Sequence, residues 1–217
     1  MNETLIKQFF EAYSKVALFN TPYTDDMPLE MLTSEQDKDG WVEWKLIDGT
    51  YTVNDYREIE NKYDIRLPQS FIDWHKAFHF FDCSSPFLYL PNSLPNNQLR
   101  DITQNLDWAG ELIKQNIYPF ANEGNDTGPL VFDARESNID NEFPIRVYDH
   151  EYFESLEGLS PIIFSSFIKL IECMCHYYKN ILQKPKQEII SDFFTIDPIG
   201  AGDTGVGYWN NWIEMLR

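Results

Sequence analysis

A fold of the α+β class is what this sequence predicts, and three stretches carry the prediction. Residues 118–133, YPFANEGNDTGPLVFD, place an aromatic run, a Gly-rich acidic turn and an apolar run within sixteen residues, the pattern of strand, turn and strand. Residues 4–19 put Leu5, Ile6, Phe9, Ala12, Tyr13 and Val16 on one side of a helix and Thr4, Lys7, Gln8, Glu11 and Ser14 on the other. Residues 161–182 are apolar apart from a narrow stripe of Ser165, Lys169, Glu172, His176 and Lys179, which predicts a mostly buried helix.

The remaining elements follow in order. Residues 21–40 hold two prolines and six acids with no sustained period, and read as a loop or crossing segment. Residues 41–47 alternate, with Val42, Trp44 and Leu46 facing one way and Glu43 and Lys45 the other, followed by Asp48-Gly49 and residues 51–53; a strand with a turn after it is the simplest account. Asn54 or Asp55 caps a short helix through Tyr56, Ile59 and Tyr63. Residues 65–68 are then extended, because Pro68 disfavours helical geometry in the residue before it. Ser70 caps a second helix that carries Phe71, Trp74, Phe78 and Phe81 at helical spacing. Residues 87–90 read as a strand, 91–102 as a Pro/Asn-rich loop, 103–116 as a helix with Leu106, Trp108, Leu112 and Ile113, and 144–148 as a strand. A short helical run at 188–194 precedes Asp197-Pro198, a Gly-rich turn and the aromatic close Tyr208-Trp209-Asn210-Asn211-Trp212.

With 217 residues, 43% of them hydrophobic, the chain can fill one core and bury about 70% of the surface its unfolded form exposes. One domain over residues 1–217, with an attached C-terminal segment, is expected. A mean hydropathy of −0.42 with 24% charged residues fits neither a disordered acidic tail nor a membrane protein. The first residues lack a basic stretch followed by an apolar block, and Cys83, Cys173 and Cys175 are too few and too odd in number for a disulfide framework. Reduced thiols in a cytoplasmic protein are the expectation. The net charge of −18 repels phosphate backbones and anionic membranes and attracts basic partners, so neither nucleic acid nor membrane is an expected partner. Between residues 120 and 157 stand Glu123, Asp126, Asp133, Glu136, Asp140, Glu142, Asp149, Glu151, Glu154 and Glu157 against Arg135 and Arg146, a net of −8. The turn within 118–133 is expected to be acidic and exposed, where loops on rigid scaffolds do recognition.

Catalytic and metal-binding patterns are weak. His75 and His79 lie four apart on the expected helix, a spacing at which two imidazoles can share zinc, but Lys76 stands where a glutamate belongs in the zinc-protease pattern and ordinary helix-edge histidines are favoured. Cys173 and Cys175 point about 200° apart on a helix and cannot grip one metal, and His176 falls on the exposed stripe. His150 follows Asp149 in an acidic neighbourhood, although a loop histidine without a function is favoured. Gly200-Ala201-Gly202-Asp203 is similar, over four residues, to the GAGD signature of ribokinase-type sugar kinases. In those kinases the glycines form an anion hole and the aspartate is a base. A tight turn ahead of a Trp-rich docking segment is favoured, since glycine is first a backbone-permissive residue. No cofactor or metal is expected.

Several fragments, taken in order from about residue 54 to 175, resemble the SUKH superfamily, which comprises fungal Smi/Knr-type regulators of cell-wall glucan synthesis and many bacterial immunity proteins. They are Ile59 and Glu60 in a short helix, Leu67-Pro68-Gln69-Ser70-Phe71-Ile72-Asp73-Trp74, Phe120-Ala121-Asn122-Glu123-Gly124-Asn125-Asp126, Val131-Phe132-Asp133, and Ser166-Phe167-Ile168-Lys169-Leu170. Phe80-Phe81-Asp82-Cys83 replaces an expected Gly-Gly segment, and Asn125 takes a place often held by glycine. The resemblance implies an α+β domain whose mixed, largely antiparallel sheet is flanked by helices. Its core spans about 41–182, with the helix at 4–19 before it and the Trp-rich segment 183–217 after it.

The resemblance also implies a non-enzymatic protein-binding role, without catalytic centre or cofactor. For bacterial members the partner is typically a toxin domain, and for fungal members signalling and cell-wall machinery. An intracellular immunity protein that occludes a basic toxin domain is therefore the leading expectation, with Glu123, Asn125, Asp126, Asp133 and Asp149 as its contact residues. A regulatory scaffold for glucan synthesis is the first alternative. A sugar- or nucleotide-acting enzyme using Asp203 is the second.

Overall fold

The computed structural model describes residues 1–136, 142–153 and 155–217; Asp140 and Glu154 lie outside them. Helix α1, Glu3–Tyr13, opens with Asn2, whose side chain accepts from the Thr4 N–H, and buries Ile6, Phe9, Phe10, Ala12 and Tyr13. It is shorter than the expected 4–19. The segment read as a loop, 21–40, begins inside β1, Asn20–Pro22, which pairs antiparallel with β2, Trp41–Glu43. Strand β3 is Ile47–Asp48, and Val53 begins helix α2, Val53–Tyr63, instead of ending a strand. Asp55 is not the cap of α2 but its reciprocal partner: its carboxylate accepts from the Thr52 N–H at 2.6 Å and from the Thr52 hydroxyl at 2.8 Å.

The extended segment before Pro68 is held by Glu60, a buried carboxylate that accepts from the Leu67 N–H at 2.8 Å. Helix α3, Gln69–His75, starts after Pro68, so Ser70 lies inside its first turn. It stops at His75, because the chain then enters β4, Phe78–His79, to pair Ile47 with His79. Strands β5 (Ser84–Ser85) and β6 (Leu88–Tyr89) follow, and the expected helix at 103–116 is two: α4, Arg100–Asp107, and α5, Gly110–Lys114.

The main sheet takes β7, Ile117–Glu123, β8, Pro129–Asp133, and β9, Ile145–Val147, beside β5 and β6, in the order β5-β6-β7-β8-β9. Every pairing among the described residues is antiparallel. Strands β7 and β8 are buried almost throughout because both faces are covered, which is why they read as continuous apolar runs instead of alternating. On one face Phe120 and Phe132 stack at 3.9 Å, and Phe71 of α3 and Phe167 of α6, Phe167–Asn180, meet both rings at 5.2–6.2 Å or pack on each other. On the other face Ile117 and Val131 pack with Ala109, Leu112 and Tyr148. Four of the five fragments that carry the family resemblance thus each donate one phenylalanine to a single ring cluster.

Helix α6 begins later than residue 161, since Phe164 first bridges Ile145. Beyond it, α7 (Lys186–Ser191), α8 (Phe193–Ile196), a π-turn at Gly200–Thr204 and α9 (Val206–Met215) close the chain. Trp209 and Trp212 join the same buried cluster as Phe9 and Phe71, and the Trp209 indole donates to the Ile163 carbonyl at 3.0 Å. No helix among the described residues is long and apolar enough to cross a membrane.

Candidate functional site

The β7–β8 turn forms one wall of a groove of about 410 Å³ that runs to the segment after β9 and to α9. Asp126 adopts a left-handed conformation, φ 61°, at the tip. Gly128 has φ 150°, and a Cβ there would stand 2.1 Å from the Tyr148 carbonyl oxygen, so the turn can pass against β9 only with glycine. Asn125 reaches across, its amide 3.6 Å from the Met215 sulfur.

Three of the five residues expected to contact a partner line this groove: Glu123, Asn125 and Asp149. Glu123 is not a surface acid. Its carboxylate is 4% exposed, accepts the Asn125 N–H at 2.6 Å and the Tyr208 hydroxyl at 3.0 Å, and makes no ion pair among the described residues. Burial and then the Glu123 charge push the Tyr208 phenol well above its ordinary pKa, which keeps it a donor. Asp149 caps a short 3-10 turn, His150–Tyr152, by accepting from the Glu151 N–H at 2.9 Å. Asp126 is exposed on the turn but outside the groove.

Asp133 corrects the sequence reading most plainly, since its carboxylate is fully enclosed at the other end of β8. It lies 2.7 Å from Arg135 and 2.8 Å from Arg146. Burial alone would raise its pKa, but hydrogen bonds and charge from the two arginines outweigh that and hold it below the usual carboxylate range. Arg146 also donates to the Ser160 carbonyl at 2.8 Å, fastening the next segment to the sheet.

Sequence reasoning missed Tyr152, Glu157, Tyr208 and Met215, which complete the groove beside Trp212. The only signal for α9 was the aromatic close of the chain. No Lys, Arg or His stands among the described lining residues, while Glu123, Asp149 and Glu157 do. Phe153, next to Tyr152, is 91% exposed and held at φ 45°, a conformation that a bulky side chain rarely takes. The arrangement offers negative charge and aromatic surface together.

The weaker motifs resolve into packing. His75 and His79 are fully buried and lie on different elements, not along one helix edge. His75 Nε2 faces the Asn92 carbonyl at 2.9 Å and so donates, while Nδ1 accepts from the Tyr56 hydroxyl at 2.7 Å. Burial pushes its pKa down to about 4. His79 Nε2 accepts the Thr50 N–H at 3.0 Å, leaving Nδ1 to donate to Ser93 Oγ at 3.1 Å. His176 is half-buried against Asp192 at 2.8 Å, not on an exposed stripe. All three cysteines are buried free thiols, and no group of three metal-ligating side chains occurs among the described residues.

In the Gly200–Thr204 turn, a Cβ on Gly200 would stand 2.3 Å from the Ser165 nitrogen. The Gly200 and Gly202 N–H groups are taken by the Asp197 carboxylate and carbonyl at 3.0 and 2.9 Å. The fully buried Asp197, which also accepts from the Ser165 N–H and hydroxyl at 2.7 and 2.6 Å, organises this turn, whereas Asp203 is exposed. No family model matches the chain, and no curated protein does either.

Proposed function

We propose that this chain is a non-enzymatic, cytoplasmic binding protein of SUKH type that neutralises a basic toxin domain by covering its active surface. The observation that carries the reading is the groove between the β7–β8 turn and α9, where Asp149, Glu157 and the exposed ring of Tyr152 stand over a floor of Tyr208 and the buried Glu123 and Trp212, with no cation among the described lining residues. Such a surface attracts a basic partner over long range and presents aromatic anchors once the partner arrives. Phe153, exposed beside it, supplies the ring most available for insertion into a partner. The ordered fragments between residues 54 and 175 support the family assignment.

The test pairs the chain with a basic toxin domain, sought first among the genes that neighbour its own. Co-expression should rescue growth, and association measured by stopped flow should slow steeply over a tenfold rise in ionic strength. Phe153→Ala and Glu157→Lys should each weaken binding by about tenfold or more. An on-rate indifferent to salt, with both variants still protecting fully, would remove the groove from the mechanism.

A further inference from the structure

A second pocket, of about 440 Å³, shares no lining residue with the groove and lies between the segment before β2, the loop after β6 and the start of α4. Its size falls within the range of about 300–1,000 Å³ typical of small-molecule sites. Its lining is unusual in chemistry: Asn92, Asn96, Asn97, Gln98 and Gln104 bring five amides to one cavity, with Phe81 as the only aromatic ring among the described lining residues.

The framework is built before any ligand arrives. Asn97 donates to the Asn92 side-chain oxygen at 3.0 Å, and its own oxygen accepts from the Tyr51 hydroxyl and the Leu99 N–H, both at 3.2 Å. Asn96 donates to the Asp26 carbonyl at 2.9 Å, and the Asn92 N–H donates to Asp101 at 3.0 Å. Gln98 and Leu99 are consecutive non-glycine residues with φ 50° and 59°, a disfavoured pairing that sends Leu99 into the core and leaves Gln98 exposed. Within this framework the side chains of Gln98, Gln104 and Arg100 make no hydrogen bond or ion pair among the described residues.

The charge balance narrows the ligand. Arg100 is outnumbered by Asp26 and Asp101, so a phosphate or other anion would meet net repulsion. A purely apolar ligand would strand the amides unpaired. A ring bearing adjacent hydroxyls satisfies both conditions, because each hydroxyl donates and accepts and an amide offers both roles in one plane. Its C–H face can rest on an aromatic ring such as Phe81.

We propose that this pocket binds a neutral carbohydrate through Asn96, Gln98 and Gln104, with Phe81 as the apolar platform. The inference stands apart from the toxin-binding reading and can fail or succeed without it. The test is a proton–nitrogen NMR titration of the full chain with glucose, N-acetylglucosamine, maltotriose and chitotriose, with inorganic phosphate as the charge control. Saturable shifts in the side-chain amides of Asn92, Asn96, Asn97, Gln98 and Gln104 are expected. Tighter binding of a trisaccharide would point to a glycan source, and equal binding to a free sugar. Gln98→Ala and Gln104→Ala, both at exposed positions, should each raise Kd about tenfold while leaving spectral dispersion intact. The proposal is overturned if none of the sugars gives saturable shifts there, if phosphate alone does, or if the doubly substituted chain binds a sugar unchanged.

Discussion

The two ends of the β7–β8 pair treat their carboxylates in opposite ways. At the open end Asp133 is enclosed and gripped by Arg135 and Arg146; at the turn end Glu123, Asp126, Asp149 and Glu157 have no ion-pair partner among the described residues. In sequence both belong to one acidic run. The difference teaches that net charge locates nothing by itself, because packing decides which acids gain an ion-pair partner and which, like the buried Glu123, are held by hydrogen bonds alone.

The sharpest way to break this comparison is Asp133→Ala. It leaves Arg146, largely buried, with only the exposed Glu136 at 3.1 Å as a counter-charge and should cost about 3 kcal/mol, read as a lower urea midpoint at an unchanged slope. A loss as small as that from a surface acid would dissolve the distinction between the two ends.

Acid titration sharpens it further by separating Asp133 from the buried histidines. His75 has its pKa lowered from 6.5 to about 4 by burial, so the unfolded chain binds the proton more readily and stability falls as pH drops through that window. The loss is about 3 kcal/mol, and His79, lowered for the same first reason, adds to it with the same sign. Asp133, held below its ordinary value of 3.8, contributes stability that is present above that value and disappears only as pH falls through its folded pKa. Urea midpoints between pH 7 and 4 should therefore slope alike in the native chain and in Asp133→Ala. A chain carrying both Tyr56→Phe and His75→Phe should show a shallower slope.

At the turn end the expected effects on stability are smaller. Tyr208→Phe removes the hydroxyl that Glu123 accepts at 3.0 Å and should cost about 1 kcal/mol in chemical unfolding. Asp126→Asn and Glu157→Gln, at exposed positions, should change stability by no more than about 0.5 kcal/mol. Any cost approaching that of Asp133→Ala would mean that these acids also serve the fold.

Legibility followed the range of the interactions involved. The β7–β8 pair was readable because the Asn-Glu-Gly-Asn-Asp-Thr-Gly turn and its flanking aromatics are contiguous, and α1, α2 and α6 were readable from their apolar stripes. The boundaries failed where a distant partner intervened. Helix α3 stops at His75 because Ile47 claims His79, and the start of α6 is delayed because Ile145 claims Phe164. In the site, the sequence pointed to Glu123, Asn125 and Asp149 through the turn and its acidic neighbourhood. Tyr208 and Met215 come from the chain's far end and carry no local mark of meeting that turn.

From residues alone one can read the mixed class, the buried strand pair and the excess of negative charge, since each depends on periodicity, turn chemistry or counting over short stretches. Only the tertiary structure decided that Asp133 would be neutralised, that His75 and His79 would sit uncharged in the interior, and that Tyr208 would close a groove over Glu123. Those outcomes depend on which distant groups come within hydrogen-bonding distance once the sheet is covered. That is a property of the packed molecule that no local pattern encodes.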